Sequence, residues 1–277
     1  MEILSKLSPA ETMLLIDSTC RYKDMLKFTF MDLLLKRVIE IKVENKKVLA
    51  RDKYAKKVQV IKSYNYVVKG RNFIKYKPKG HELVFLSPYQ KSTSIKILFK
   101  HLIKVVYENS GSSKSFKSTV LNSINLKGLL KVNILQQLFG GISMTAKGNQ
   151  TKVEILKYLK PIDQNINNLL KGDKKKALEL LLSLGGNIFL LNNLDFALLK
   201  KIDKLLLDEQ KSNYSESYDT TNDWWYYFDF YDNNESFDFY FDDFDSTINS
   251  FESDYDAAGC SSCNTGCSSC GGCGGCD

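Results

Sequence analysis

Six cysteines stand within the last 18 residues of this 277-residue chain, at Cys260, Cys263, Cys267, Cys270, Cys273 and Cys276. The spacing is C-x2-C-x3-C-x2-C-x2-C-x2-C, with only Gly, Ser, Thr and Asn between. A two-residue spacer lets both thiolates of a pair reach one soft cation, zinc first among them, and glycine and serine accept the tight turns this needs. Zinc modules usually separate such pairs by a dozen or more residues that pack a small core, and here no apolar residue intervenes. The array therefore reads either as a zinc site or as a flexible set of thiols open to modification. Cys267, Cys270 and Cys273 match part of a ferredoxin run, but the fourth spacing and the proline of an iron–sulfur motif are absent. The remaining cysteine, Cys20, reads as a small buried hydrophobe.

A second constellation is basic. Lys46, Lys47, Lys53, Lys56, Lys57, Lys62, Lys69, Arg71, Lys75, Lys77 and Lys79 crowd one stretch, with Tyr64, Tyr66, Phe73 and Tyr76 interleaved. Cations in that density attract phosphates or carboxylates whatever their sequence, and interleaved rings suit base stacking. The polyanion-binding candidates are Lys46, Lys47, Lys56, Lys57, Lys62, Lys69, Arg71, Lys75 and Lys77. The opposing reading is a solvated lysine-rich surface.

Enzyme chemistry has little to stand on. His81 lies in a loop-like stretch beside Gly80 and Glu82, and His101 in a lysine-flanked helix; neither belongs to a metal or triad pattern. There is no Walker loop, dinucleotide glycine fingerprint or nucleophile elbow. The glycines of "LGGN" (184–187) read as a helix stop.

The charge distribution organises the rest. The chain is +7 overall, yet all 39 Lys and Arg and only 18 of the Asp and Glu lie in residues 1–211, a net +21. Residues 212–277 hold no Lys or Arg and 14 acids. Between Asp223 and Asp245 run 12 aromatic residues mixed with acids, without a helical period, which reads as a disordered acidic–aromatic segment. Tethered to a basic body, it has a high effective concentration for that body. No targeting segment and no run of about 18 apolar residues is visible, so the expectation is a cytoplasmic protein without a membrane span.

Several elements are readable. Ser8, Pro9 and Glu11 make a capping box before Met13, Leu14, Leu15 and Ile16. Thr29 with Asp32 looks like a second helix start, opening "FMDLLLKR". Val38–Val43 alternates as a strand, "ENKK" (44–47) is a turn candidate, and "KKVQVIKSYNYVV" reads as one or two more strands. Helices followed by a hairpin outline a winged helix. The would-be recognition helix, "TFMDLLLKRV", is mostly apolar and reads as a core helix rather than a reader of base edges. Leu7-Ser8-Pro9 recurs as Leu86-Ser87-Pro88 before another helical pattern, in which Ile95, Leu98, Phe99, Leu102 and Val106 keep helical spacing. "ISMTAKG" suggests a short strand, a Thr-x-x-Gly turn and a closing helix, which Pro161 ends. Two more helices fit 162–172 and 173–186, "NIFLL" (187–191) reads as strand-like, and a final helix fits 194–211.

With "LSPAETMLL", "FTFMDLLLKRVIEI", "GGISMTAKG", "LSLGGNIFLL" and "GCSSCGGCGGC", the chain resembles uncharacterised bacterial families that pair a winged-helix-like body with a Cys/Gly-rich C-terminus. Many of those carry membrane spans, which this chain lacks. In its helical body, basic face and small hairpin it is also similar in outline to the phosphoinositide-binding domains of the Golgi phosphoprotein type. The resulting expectation is a mainly α protein with small β-hairpins (α+β). It comprises two winged-helix-like modules at 1–85 and 86–211, a disordered acidic–aromatic segment at 212–258 and a Cys/Gly-rich tail at 259–277. It is expected to be a non-catalytic interaction protein whose basic body binds an acidic protein or polyanion, with a tail that contacts the body, regulates it or holds zinc. The alternatives are a non-specific nucleic-acid-binding regulator and a peripheral protein that binds anionic lipid headgroups.

Overall fold

The computed structural model describes residues 2–51, 57–90, 95–132, 142–171, 176, 179–180 and 183–194. They form a mixed α and β arrangement with two small antiparallel sheets.

After α1 (Glu2–Lys6), the Ser8 hydroxyl accepts the Glu11 amide and the Glu11 carboxylate accepts the Ser8 amide at 2.6 Å. Pro9 takes the first position of α2 (Pro9–Ile16), where its missing N–H costs nothing. A single helix, α3 (Tyr22–Leu35), covers the next apolar run. Thr29 does not open a helix there: its hydroxyl donates to the Met25 carbonyl at 2.7 Å inside α3, and Asp32 pairs with Lys36 one turn on. Continuous burial of Met25, Leu26, Phe30, Met31 and Leu33 to Leu35 keeps the helix intact through these polar residues. Phe30 anchors the packing, with ring centroids 5.8 Å from Phe85 and 5.5 Å from Phe99.

β1 (Ile39–Arg51) and β2 (Lys57–Lys69) form a hairpin far longer than the sequence suggests. The residues read as a turn, Glu44 to Lys47, lie within β1 opposite Tyr64 to Ile61. They contain no glycine for a tight hairpin turn, and the β-branched pair Val48–Val60 carries the ladder past them. Beyond a 3-10 turn (Gly80–Glu82), α4 (Leu83–Gln90) contains Pro88 near its end, so the second Leu-Ser-Pro does not cap a helix as the first does. Ile97 and Leu98 form a short strand, β3, that pairs with Val67 and Tyr66 of β2 instead of continuing a helix. Then come α5 (Phe99–Ser110), α6 (Ser113–Leu121), the hairpin β4 (Leu130–Val132) with β5 (Ile142–Met144), and α7 (Ala146–Lys171).

Pro161 does not end α7, because Ile155, Leu159, Ile162 and Ile166 keep one buried stripe on both sides of it. That burial offsets the roughly 3 kcal/mol a mid-helix proline costs. Thr145 caps α7: its hydroxyl accepts the Gly148 amide at 3.0 Å and contacts the Gly128 carbonyl at 2.8 Å. A Cβ at Gly148 would overlap the Leu129 carbonyl, which explains the Thr-x-x-Gly spacing. Thr145→Ala is expected to lower stability by about 1 kcal/mol in a urea melt.

Residues 187–190, read as strand-like, belong to a 3-10 turn (Gly185–Leu190) laid against α1, α2 and α3. The described core is one cluster from Leu4 to Leu194. The expected boundary at 85/86 falls inside α4, and both the β2–β3 pairing and the packing of α2 on α6 and α7 cross it.

Candidate functional site

The hairpin has two chemically different faces. Side chains alternate along a strand, so the register groups Glu44, Lys46 and Val48 with Val60, Lys62, Tyr64 and Tyr66 on one face. Part of the charge there is matched around Glu44 and Tyr66, while Lys42 and Lys62 on the same face make no ion pair with a described residue. Lys46 donates to the Tyr66 hydroxyl at 2.7 Å and lies 4.9 Å from the Tyr66 ring centroid and 5.8 Å from that of Tyr64. Lys96 sits 5.0 Å from the Tyr66 centroid on its way to Glu44, 2.5 Å away. The Lys96 hydrogen bond holds the Glu44 carboxyl below its ordinary pKa, and the Tyr66 hydrogen bond raises that of Lys46.

The other face starts in the core, with Ile39 and Val67 buried, and runs outward through Val43 to Lys47, Leu49 and Arg51, opposite Ile61, Gln59 and Lys57. Leu49 and Ile61 are diagonal neighbours, 68% and 70% exposed. The side chains of Lys47, Arg51 and Lys57 make no ion pair with any described residue. An apolar core stripe thus continues into solvent, bordered by three cations that no described residue pairs.

The structure therefore divides the predicted lysines. Lys47 and Lys57 share the open face. Lys46 and Lys62 lie on the opposite one, Lys69 stays at the base over Phe73 at 4.7 Å, and Arg71, Lys75 and Lys77 follow in the connection. Lys56, Lys53, residues 195–258 and the six tail cysteines lie outside the described residues. Arg51 was not among the candidates, although its two-residue spacing from Leu49 and Lys47 is the signal that places it.

Lys79 is a correction: it points inward. Its ammonium lies 2.5 Å from the Glu11 carboxylate and donates to the Lys6 carbonyl at 3.0 Å. The interleaved rings are corrected too. Tyr66 lies between two lysines, Phe73 packs against Tyr89 at 6.2 Å, and Tyr76 donates to Glu82 at 2.9 Å, so these rings are committed within the protein.

A buried polar joint was not legible in the sequence. Glu11, with no exposed surface, receives the Ser8 amide, Lys79, the Ser123 hydroxyl and Asn125. Burial opposes its charge, but Lys79 and these hydrogen bonds hold its pKa below the usual value. Next to it, the buried His81 ring meets the Ser8 hydroxyl through Nε2 at 3.1 Å and stands edge-on to Phe116. Burial pushes its pKa down to about 4. Lys79 continues the chain by donating its amide to Glu82 at 2.7 Å. Burial raises the Glu82 and Tyr76 pKa values, whereas Asp32 overrides burial and raises that of Lys36. Gly186 lies so close that a Cβ there would overlap the Asp32 carboxylate.

This joint resembles an acid–base constellation in composition but not in access. Ser8, Glu11, His81 and Glu82 are all shielded from solvent, and His81 Nδ1 has no hydrogen-bonded acid to orient it. Its geometry suits locking α2 to the 79–82 turn and the 123–125 loop. Cys20 packs against the core and forms no disulfide among the described residues; burial pushes its thiol up to about 11. Among the described residues no three His, Cys, Asp or Glu converge on a possible metal position, and no helix is long and apolar enough to cross a membrane. An open depression of about 460 Å³ on α7, lined by Pro161, Ile162, Asn165, Asn168 and Leu169, contains no titratable side chain. In comparisons with protein-family models, with curated proteins and with solved structures, the chain matches none of them.

Proposed function

We propose that this is an interaction protein whose long hairpin presents a basic, apolar-centred face to an acidic protein partner. The observation that carries the reading is the difference between the faces: on one, Glu44 and Tyr66 engage Lys46, while on the other the exposed Leu49 and Ile61 stand among Lys47, Arg51 and Lys57, which pair with no described acid. Protein interfaces combine a small apolar centre with a charged rim, and unmatched cations steer an acidic partner into register. The order α2, α3, hairpin, then α5, α6, second hairpin supports two winged-helix-like units. In this reading the apolar α3 serves as scaffold and the hairpin as the contact. A reducing, cytoplasmic setting suits the Cys20 thiol and the proposed role of the terminal thiols as a regulatory or zinc-holding appendage.

The test is a titration of the full chain with poly-L-glutamate and with duplex DNA across salt. With Asp238→Asn, Asp242→Asn, Asp243→Asn and Asp245→Asn in place, so that the chain's own acids do not compete, Lys47→Glu with Arg51→Glu is expected to weaken polyglutamate binding about tenfold, a loss of about 1.4 kcal/mol. Lys46→Glu, on the opposite face and already engaged by Glu44 and Tyr66, is expected to change it far less. Equal losses for the two faces would remove the reading. A DNA affinity with a steep salt slope, lost in the same double variant, would redirect it to phosphate recognition.

A further inference from the structure

The open hairpin face is complementary to a segment of the same chain. We propose that residues 223–245 dock on it, with aromatic side chains covering Leu49 and Ile61 and carboxylates facing Lys47, Arg51 and Lys57. This rests on the reading above and names the first occupant of that surface.

Three observations support it. The face exposes two large aliphatic side chains among three cations that no described residue neutralises. The segment carries 12 aromatic residues and eight acids without a single Lys or Arg, an unusual match of apolar bulk and opposite charge. It is also within reach. The tether from residue 195 to residue 222 has 28 residues, so it spans about 42 Å if wholly helical and about 90 Å if extended. The hairpin itself is about 43 Å long for 13 residues per strand. A tether of this kind gives an effective concentration of about 1 mM, so a contact with an intrinsic Kd near 0.1 mM is mostly formed and lowers the apparent affinity of an outside acidic ligand about tenfold. Uncovered aliphatic surface costs free energy in water, and an apolar, like-sized cover removes that cost without a partner. An acidic partner then competes with the segment for the face.

The sequence supplies its own probe. The chain has two tryptophans, Trp224 and Trp225, both in the segment, so intrinsic tryptophan emission reports this segment alone. In the full chain at low salt, emission is expected to be blue-shifted and shielded from acrylamide, independently of protein concentration. Lys47→Glu with Arg51→Glu, and separately Leu49→Ser with Ile61→Ser, are expected to red-shift it and to raise quenching two- to threefold. The same charge change at the exposed Lys114 and Lys127 is expected to leave it unaltered. All four hairpin positions are exposed, and circular dichroism checks that the fold is kept. Adding poly-L-glutamate is expected to release the tryptophans, and Asp238→Asn, Asp242→Asn, Asp243→Asn and Asp245→Asn together to tighten polyglutamate binding about tenfold. If the hairpin variants weaken polyglutamate binding but leave the tryptophan signal where it was, the docking proposal falls alone. If they change neither, the hairpin reading falls with it. A signal that grows with protein concentration replaces self-docking with exchange between copies, which also overturns the proposal.

Discussion

Replacing Glu11 with alanine is expected to cost about 3–5 kcal/mol of folding stability, because it removes one partner of a buried ion pair. At a urea m-value of about 2–3 kcal/mol/M, the midpoint falls by about 1.5 M. The carboxylate has no exposed surface and stands at a crossing of three segments: the α2 N-terminus through Ser8, the 79–82 turn through Lys79, and the loop after α6 through Ser123 and Asn125. Without it the Ser8 amide loses its capping partner and Lys79 its counter-charge. Lys79 is a quarter exposed and can turn toward water, which sets the lower end of the range. Lys79→Met is the informative companion. It leaves Glu11 as a buried anion without a cation, so its cost is largest near neutral pH and shrinks in acid as the carboxyl takes up a proton. A Glu11→Ala protein within 1 kcal/mol of the parent would show that the joint does not hold the halves together.

Glu11 also shows why sequence reading stops where it does. Its place in the capping box is a local relation, three residues from Ser8, and the pattern gives it correctly. Its pairing with Lys79 links residues 68 apart, and no periodicity encodes that partner. In sequence Lys79 is one more cation of a basic stretch, and nothing local separates it from neighbours that stay on the surface. The hairpin fails and succeeds for the same reason. Alternation identifies both strands, but the polarity of Glu44–Lys47 suggests a turn, whereas cross-strand pairs such as Val48–Val60 carry the ladder beyond it. Once the register is known, the two-residue period separates Lys47 and Lys57 from Lys46 and Lys62 and adds Arg51. Pro161 and Thr29 are local signals overruled by burial: a continuous apolar stripe holds α7 through the proline and α3 through the threonine.

The hairpin and the joint divide the labour of the charged residues. Inside, Lys36, Lys79, Asp32 and Glu11 meet opposite charges at fixed distances and make the body rigid. Outside, Lys46 on one hairpin face is occupied by Tyr66, Tyr64 and Glu44, which ties the two strands together through their side chains. A ribbon tied in this way has a lower ordering cost of binding on its other face. The net positive charge of the body therefore overstates its contact surface, because only part of it is uncommitted.

The pH dependence of stability is expected to be set largely by His81. Its ring is buried and neutral in the folded chain, with a pKa of about 4 caused first by burial; Glu11 pulls it up, and Lys79 and Lys36 push it down. In the unfolded chain it titrates near 6.5. Between these values the unfolded chain binds a proton that the folded chain refuses, so stability is complete above pH 6.5 and falls as the pH drops to 4. The loss is about 3 kcal/mol at about 1.4 kcal/mol per pKa unit. Glu11, with its depressed pKa, acts in the same direction at lower pH. Glu82 opposes both: burial raises its pKa, so the folded chain holds that proton more readily and gains relative stability as the pH falls. His81→Gln separates them, because it deletes one titration and leaves both carboxyls. The stability difference between parent and variant is expected to shift by about 3 kcal/mol against the parent between pH 7 and pH 4. A difference that stays constant within 1 kcal/mol would mean that His81 titrates alike in both states, and with that the Ser8–His81 contact would lose its place as a buried neutral pair.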